Sequence, residues 1–298
     1  MKKNYNLSIF LSFIGLWITS LFSNEFEIVL GFFLIFSFGI LHGSNDILLI
    51  NSFSDNKTKN VFIKILSSYL IIISSAVFLF YLLPGIALFL FILFSAFHFG
   101  EQHWEFKNIS ISKNLRNSFY FLYGLFILQI LFMLNKDGVV TITEAITSHI
   151  LPINLINYSF TINFIALLFL VFHLYKKSET FKHILALEVL YLIIFAVIFK
   201  VSTLIWGFTI YFILWHSIPS LHDQITFIFG DFNKINLFKY VKNAFPYWVV
   251  SLLGIAVVFY IFKDEQIFNA IFFSFIAAIT FPHALVMNKM FTKNKKRN

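Results

Sequence analysis

The chain carries nine histidines, and five of them sit toward the same end of long apolar stretches: His42, His98, His173, His216 and His283. Counting back at about 1.5 Å per residue from the polar residue that closes each stretch, His42 and His98 lie roughly 13 Å deep, and His216 and His283 roughly 9–10 Å. His173 stands at headgroup level, close to Lys176. With His149 and His183, it reads as interfacial. A lone histidine in a membrane helix is more often a hydrogen-bonded packing residue. Four from separate stretches at matched depth point instead to a metal or haem site, because polar groups near lipid are costly unless something satisfies them. Four neutral imidazoles, in a chain with no cysteine, suit iron, copper or zinc.

The neighbouring residues fit such a site. In HGSND, Asp46 follows His42 by four positions, and in HFGE, Glu101 follows His98 by three; on a regular helix each acid shares a face with its histidine. A ligating imidazole commonly gives its second ring N–H to a carboxylate, which fixes the tautomer. Asp46 and Glu101 are the candidates for that role, whereas Glu105 reads as an interfacial acid. Gly43 directly follows His42 and Gly100 stands two residues after His98, where a side chain's absence lets another helix or a ligand come close. Pro219 and Pro282 are expected to kink their helices beside His216 and His283.

A buried histidine cluster needs helices that hold it in a bilayer, and the composition supplies them. The chain is 59% hydrophobic and 12% charged, with a mean hydropathy of +0.84; soluble domains carry about a quarter charged residues. Stretches of about 20 mostly apolar residues fall at 6–23, 27–50, 61–82, 84–106, 117–135, 155–175, 183–200, 203–222, 246–262 and 267–288. The expectation is an all-α polytopic membrane bundle of about ten spans, with residues 1–298 forming a single integral membrane domain. The first stretch follows Lys2 and Lys3 but lacks a convincing signal-peptide cleavage site.

Charge placement orients the bundle. With that span count, every Lys and Arg except Lys136, Lys200 and Lys263 falls on one side. The positive-inside rule makes that side cytoplasmic, with both termini there. A multi-pass protein of the cell's inner (plasma) membrane follows. The net charge of +8 is then topology, and no nucleic-acid partner is expected. Residues 136–154 are expected outside as a short interfacial helix, and 223–245 inside as an amphipathic surface segment. The 44 phenylalanines match an A/T-rich coding bias first and a Phe-lined cavity second.

The absence of cysteine excludes disulfides, iron–sulfur clusters and thiolate catalysis. The paired-histidine patterns HxxxH and HxxHH of membrane desaturases do not occur. Three readings remain from the residues alone: a non-haem metal enzyme, a bis-histidine haem redox protein, and a transporter. The last predicts inverted repeats and broken helices near the midplane, yet the polar residues here gather toward one side.

HGSNDILL, FHFGEQHW, ILWHSIPSL and FPHALVM, in this order and spacing, resemble the motifs of the Brp/Blh family of bacterial and archaeal β-carotene 15,15'-dioxygenases, over about residues 31–290. The resemblance implies an integral-membrane enzyme using Fe(2+) and O2 to split β-carotene into two retinals, often for a rhodopsin. It carries over His42, His98 and His216 as metal ligands. Many members have a further histidine four residues after the WH histidine, where this chain has Ser220. His283 is therefore favoured as fourth ligand and His222 held in reserve, with no catalytic group beyond the metal site. Phe97, Trp104, Trp206 and Trp215 flank the cluster in sequence and read as core packing before tunnel lining.

Overall fold

The computed structural model describes residues 5–53, 59–107, 109–261 and 265–297; Lys2, Lys3, Lys57 and Lys263, used above for orientation, lie outside these. The described residues form helices without strands. In chain order these are α1 (Asn6–Leu21), α2 (Asn24–Leu34), α3 (Ile40–Gly43), α4 (Asp46–Phe53), α5 (Lys59–Leu82), α6 (Pro84–Trp104), α7 (Lys113–Leu134), α8 (Lys136–Thr147), α9 (Ile153–Lys177), α10 (Glu179–Val201), α11 (Leu204–Tyr211), α12 (Ile218–Phe229), α13 (Lys234–Ile261) and α14 (Glu265–Arg297). Each stretch read as a span coincides with helix. Among the described residues, six helical stretches are long and apolar enough to cross a membrane: Asn24–Phe53, Pro84–Lys107, Lys113–Leu134, Ile153–Lys177, Glu179–Val201 and Leu204–Phe229.

Two local expectations change. Helix α12 runs on to Phe229, and α13 starts at Lys234, so 223–245 is mostly the continuation of two helices and not one surface segment. Gly230, at φ 92°, makes the stop, because its backbone sits in the region that only glycine enters at no cost. Pro219 does not itself break its helix. It lies inside the helix Leu204–Phe229, two residues past a π-turn, where the regular ladder of backbone bonds is already disturbed. The irregularity lies just upstream, in a π-turn at Phe212–Ser217; a second π-turn, Ile35–Gly39, precedes His42. Single π-turns inside α-helices recur at functional sites.

The chain divides into two compact units. The first comprises residues 1–35, 95–144 and 150–216. In it α7 lies against α9 and α10, and α11 lies against α2. The crossing of α6 and α7 is so close that a Cβ on Gly100 would stand 1.8 Å from the Tyr120 carbonyl oxygen, and one on Gly124 1.9 Å from that of Ala96. Backbone meets backbone there, as small residues allow in membrane helices. Helix starts are capped by Ser23, Ser178 and Thr203, whose hydroxyls accept from the N–H groups of Phe26, Phe181 and Trp206, satisfying donors that helices leave unpaired.

The second unit comprises residues 36–94, 145–149 and 217–298. Here α14 packs along α5 and α4, and α13 along α3. The π-turn ahead of His42 upsets the ladder of backbone bonds, and the Trp248 indole answers it by donating to the carbonyls of Phe36 and Ser37 at 3.1 and 3.0 Å. Large apolar side chains such as Phe33, Phe78, Phe169, Val250 and Leu253 point outward. In lipid such a surface costs nothing.

Candidate metal centre

Each unit brings two of the four depth-matched histidines together. In the first unit, His98 of α6 and His216 of the second π-turn stand with ring centroids 4.7 Å apart and planes at 79°. Both are 1% exposed. Phe212 stacks on His216 at 5.5 Å, and Phe99 meets its edge at 4.6 Å. In the second unit, His42 of α3 and His283 of α14 stand 4.8 Å apart at 86°, both buried. His42, His216 and His283 each offer a buried ring nitrogen of the type that could hold a metal ion.

These spacings discriminate between kinds of site. With metal–nitrogen bonds of about 2 Å, two imidazoles at adjacent positions on one metal have centroids about 4.5–5 Å apart. Two imidazoles facing each other across a haem stand about 6 Å apart. Both pairs match the first figure, and neither leaves room within it for a macrocycle.

Asp46 is placed differently from the helical-face expectation. The helix is interrupted at Ser44–Asn45, and Asp46 opens α4. Its Oδ1 lies 2.8 Å from Nδ1 of His283, and its Oδ2 accepts from the Tyr69 hydroxyl at 3.0 Å. An Nδ1–H pointed at the carboxylate leaves the His283 lone pair on Nε2, the arrangement a metal ligand needs.

His42 is held through its backbone. The same interruption exposes its carbonyl, and Gln224 Nε2 donates to it at 3.0 Å and to Ser220 Oγ at 3.2 Å. Tyr240 lies 2.6 Å from Gln224 Oε1 and 3.1 Å from the His42 carbonyl. Its single proton goes to the shorter contact. Burial pushes this hydroxyl well above the usual phenol range, so it stays a donor.

The remaining sequence candidates fall as follows. Glu101 is buried on α6. His222 is 35% exposed in its side chain and stacks on Phe232 at 4.6 Å. His149 and His183 are exposed and His173 half-buried. Trp104, Trp206 and Trp215 are core residues at 2% exposure; the indoles of Trp206 and Trp215 donate to the Gly15 carbonyl and Ser12 Oγ. Gly43 is less constrained than Gly100, since a Cβ there would make only ordinary contact with His283 Nδ1 at 3.8 Å.

Sequence reasoning missed a polar network in the first unit. Glu188 of α10, 3% exposed, takes His103 Nε2 at 2.6 Å and Lys107 Nζ at 2.5 Å on its two oxygens, and the Tyr123 hydroxyl reaches it at 3.3 Å. His103 is stacked between Tyr5 and Tyr123. Glu105 is no surface acid either: it is buried and accepts from Tyr120 at 3.1 Å. The signal was available. Glu188 sits within an apolar run, where a carboxylate demands a partner.

A family model described as beta-carotene 15,15'-dioxygenase matches residues 33–291. No curated protein and no solved structure matches the chain.

Proposed function

The chain belongs to the beta-carotene 15,15'-dioxygenase family, and from that membership we propose that it cleaves β-carotene at its central double bond with O2, giving two molecules of all-trans-retinal, at an iron held by His42, His98, His216 and His283. What supports histidine ligation is the burial of His42, His216 and His283, each with a ring nitrogen that could hold a metal ion; His98, paired with His216 at 4.7 Å between centroids, enters from the HFG motif. The donor set fits ferrous iron: neutral nitrogens, no thiolate, and a carboxylate behind one imidazole. His222 is left out because its exposed ring engages Phe232.

Bound Fe(2+) supplies the one-electron chemistry that lets ground-state O2 react with a closed-shell polyene. The balance is simple: the C15=C15' bond is broken, two C=O bonds form, and both oxygen atoms end in product. No net proton is moved, in keeping with a site that offers imidazoles and aromatic rings. The chain's own work is to orient the ligands, to place the polyene, and to keep water from reactive species. Phe99 and Phe212, packed on His216, give the pair an apolar wall suited to a hydrocarbon. The substrate dissolves in the bilayer, so entry is lateral from lipid. The membrane is the cell's inner membrane, crossed about ten times with both termini inside; a retinal-binding rhodopsin is the natural recipient of the product.

The test is expression in a bacterium that accumulates β-carotene, followed by chromatography of the extracted pigment. Retinal as the product supports the reading. A longer apocarotenal moves the cut off centre, and unchanged pigment with protein and iron present refutes it. A Soret band in the purified protein would show a haem protein instead.

A further inference from the structure

We propose that Tyr69 is a positioning residue for this site: through Asp46 it fixes the ring of His283 and so sets that imidazole's hold on the metal. The proposal rests on reading His283 as an iron ligand and adds a residue outside the ligand set and its carboxylate.

Asp46 is 1% exposed, and each of its oxygens has its own partner, His283 Nδ1 on Oδ1 at 2.8 Å and Tyr69 on Oδ2 at 3.0 Å. A carboxylate bound at one oxygen only is free to rotate about its terminal torsion, which is broad, and the imidazole bonded to it follows. Bound at both oxygens, it is a fixed acceptor. The three groups come from three helices, Tyr69 from α5, Asp46 from α4 and His283 from α14, and α14 packs on both of the others. The relay therefore ties a ring torsion to helix packing, which no residue of α14 alone can do.

His42 is held through its backbone. Its carbonyl is held by Gln224, and Gln224 by Tyr240. Loss of the Tyr69 hydroxyl acts through Asp46 on the His283 ring. Tyr69 itself is half-buried, between exposed Ser68 and Leu70, so removing one oxygen atom opens no cavity in a core.

The test compares the wild type with Tyr69→Phe, which keeps the ring, and with Asp46→Asn as reference. Iron affinity is measured by competition with a chelator on the purified protein. Histidine ring signals are read by 15N magnetic resonance on the metal-free protein, and KM and kcat for β-carotene are taken on the iron-loaded one. Tyr69→Phe should bind iron about 10–100-fold more weakly, as loss of an outer partner does. It should broaden the His283 ring signals through added ring motion, and lower kcat with KM for β-carotene unchanged. Asp46→Asn should do the same more strongly. Unaltered iron affinity and unbroadened His283 ring signals in Tyr69→Phe would overturn the proposal, whatever happens to the melting temperature. A wild type that binds iron but leaves β-carotene intact overturns the reaction and not the relay. A wild type that takes up no iron overturns both.

Discussion

At the scale of single residues, two kinds of buried polar group occur, and substitution separates them. The four paired histidines are expected to be needed for chemistry and not for folding. His98→Ala and His216→Ala should abolish retinal formation while the protein still reaches the membrane at normal level, as measured by immunoblot of the membrane fraction; undiminished activity removes that residue from the ligand set. Glu188 is the opposite case. It pairs with Lys107 and bonds His103 in a buried setting, and removing it strands its partners, a loss of about 3–5 kcal/mol. Glu188→Ala should lower the thermal midpoint of the metal-free protein far more than His98→Ala does. The histidines were legible in the sequence because depth along a helix is a one-dimensional quantity. The pairing of Glu188 with His103 was not, since it depends on which faces of α6 and α10 meet, and no spacing rule encodes that.

At the scale of elements, irregularities in the helices aim the site. His216 lies inside one π-turn and His42 just after another, with the chain interrupted again at Ser44–Asn45. Regular helices were legible from hydrophobic runs; these interruptions were not, because a π-turn changes phase by about one residue without changing composition. The break at Ser44–Asn45, between His42 and Asp46, is equally silent in composition, and Asp46, expected to serve His42 from the shared helix face, is found on His283. The glycine two residues after His98 has a sharper consequence. Gly100→Ala drives a Cβ into the Tyr120 backbone, and rigid carbonyls cannot give way as a side-chain tip can. It should abolish accumulation of folded protein, whereas Gly43→Ala should be near neutral. Fluorescence-detected gel filtration of both variants decides; equal profiles would mean that α6 and α7 cross less closely. Gln224→Met probes the remaining interruption. It removes the donor on the His42 carbonyl and leaves the Tyr240 hydroxyl to take its place at 3.1 Å. Iron affinity measured by chelator competition should fall less than in Asp46→Asn.

At the scale of the whole molecule, orientation is a matter of where charge sits relative to lipid. Nearly all the lysines lie at the ends of helices or between them, and each span predicted from the sequence is helical, yet helix alone does not say which side a loop faces. The positive-inside argument does, and it is sensitive to parity: losing one span would move half of the basic clusters outside. The chain's lack of cysteine makes a clean test possible, since a single introduced thiol is the only one present. Ile150, 70% exposed after α8, should face out, and Asp231, exposed between α12 and α13, should face in. In intact cells a membrane-impermeant maleimide should label Ile150→Cys and spare Asp231→Cys until the membrane is opened. Labelling of both from outside would mean an even number of crossings between them, whereas α9, α10 and α11–α12 crossing as one make three, an odd number that carries the chain from one face to the other. That continuity across the π-turn at Phe212–Ser217 is the link on which the depth of His216 depends.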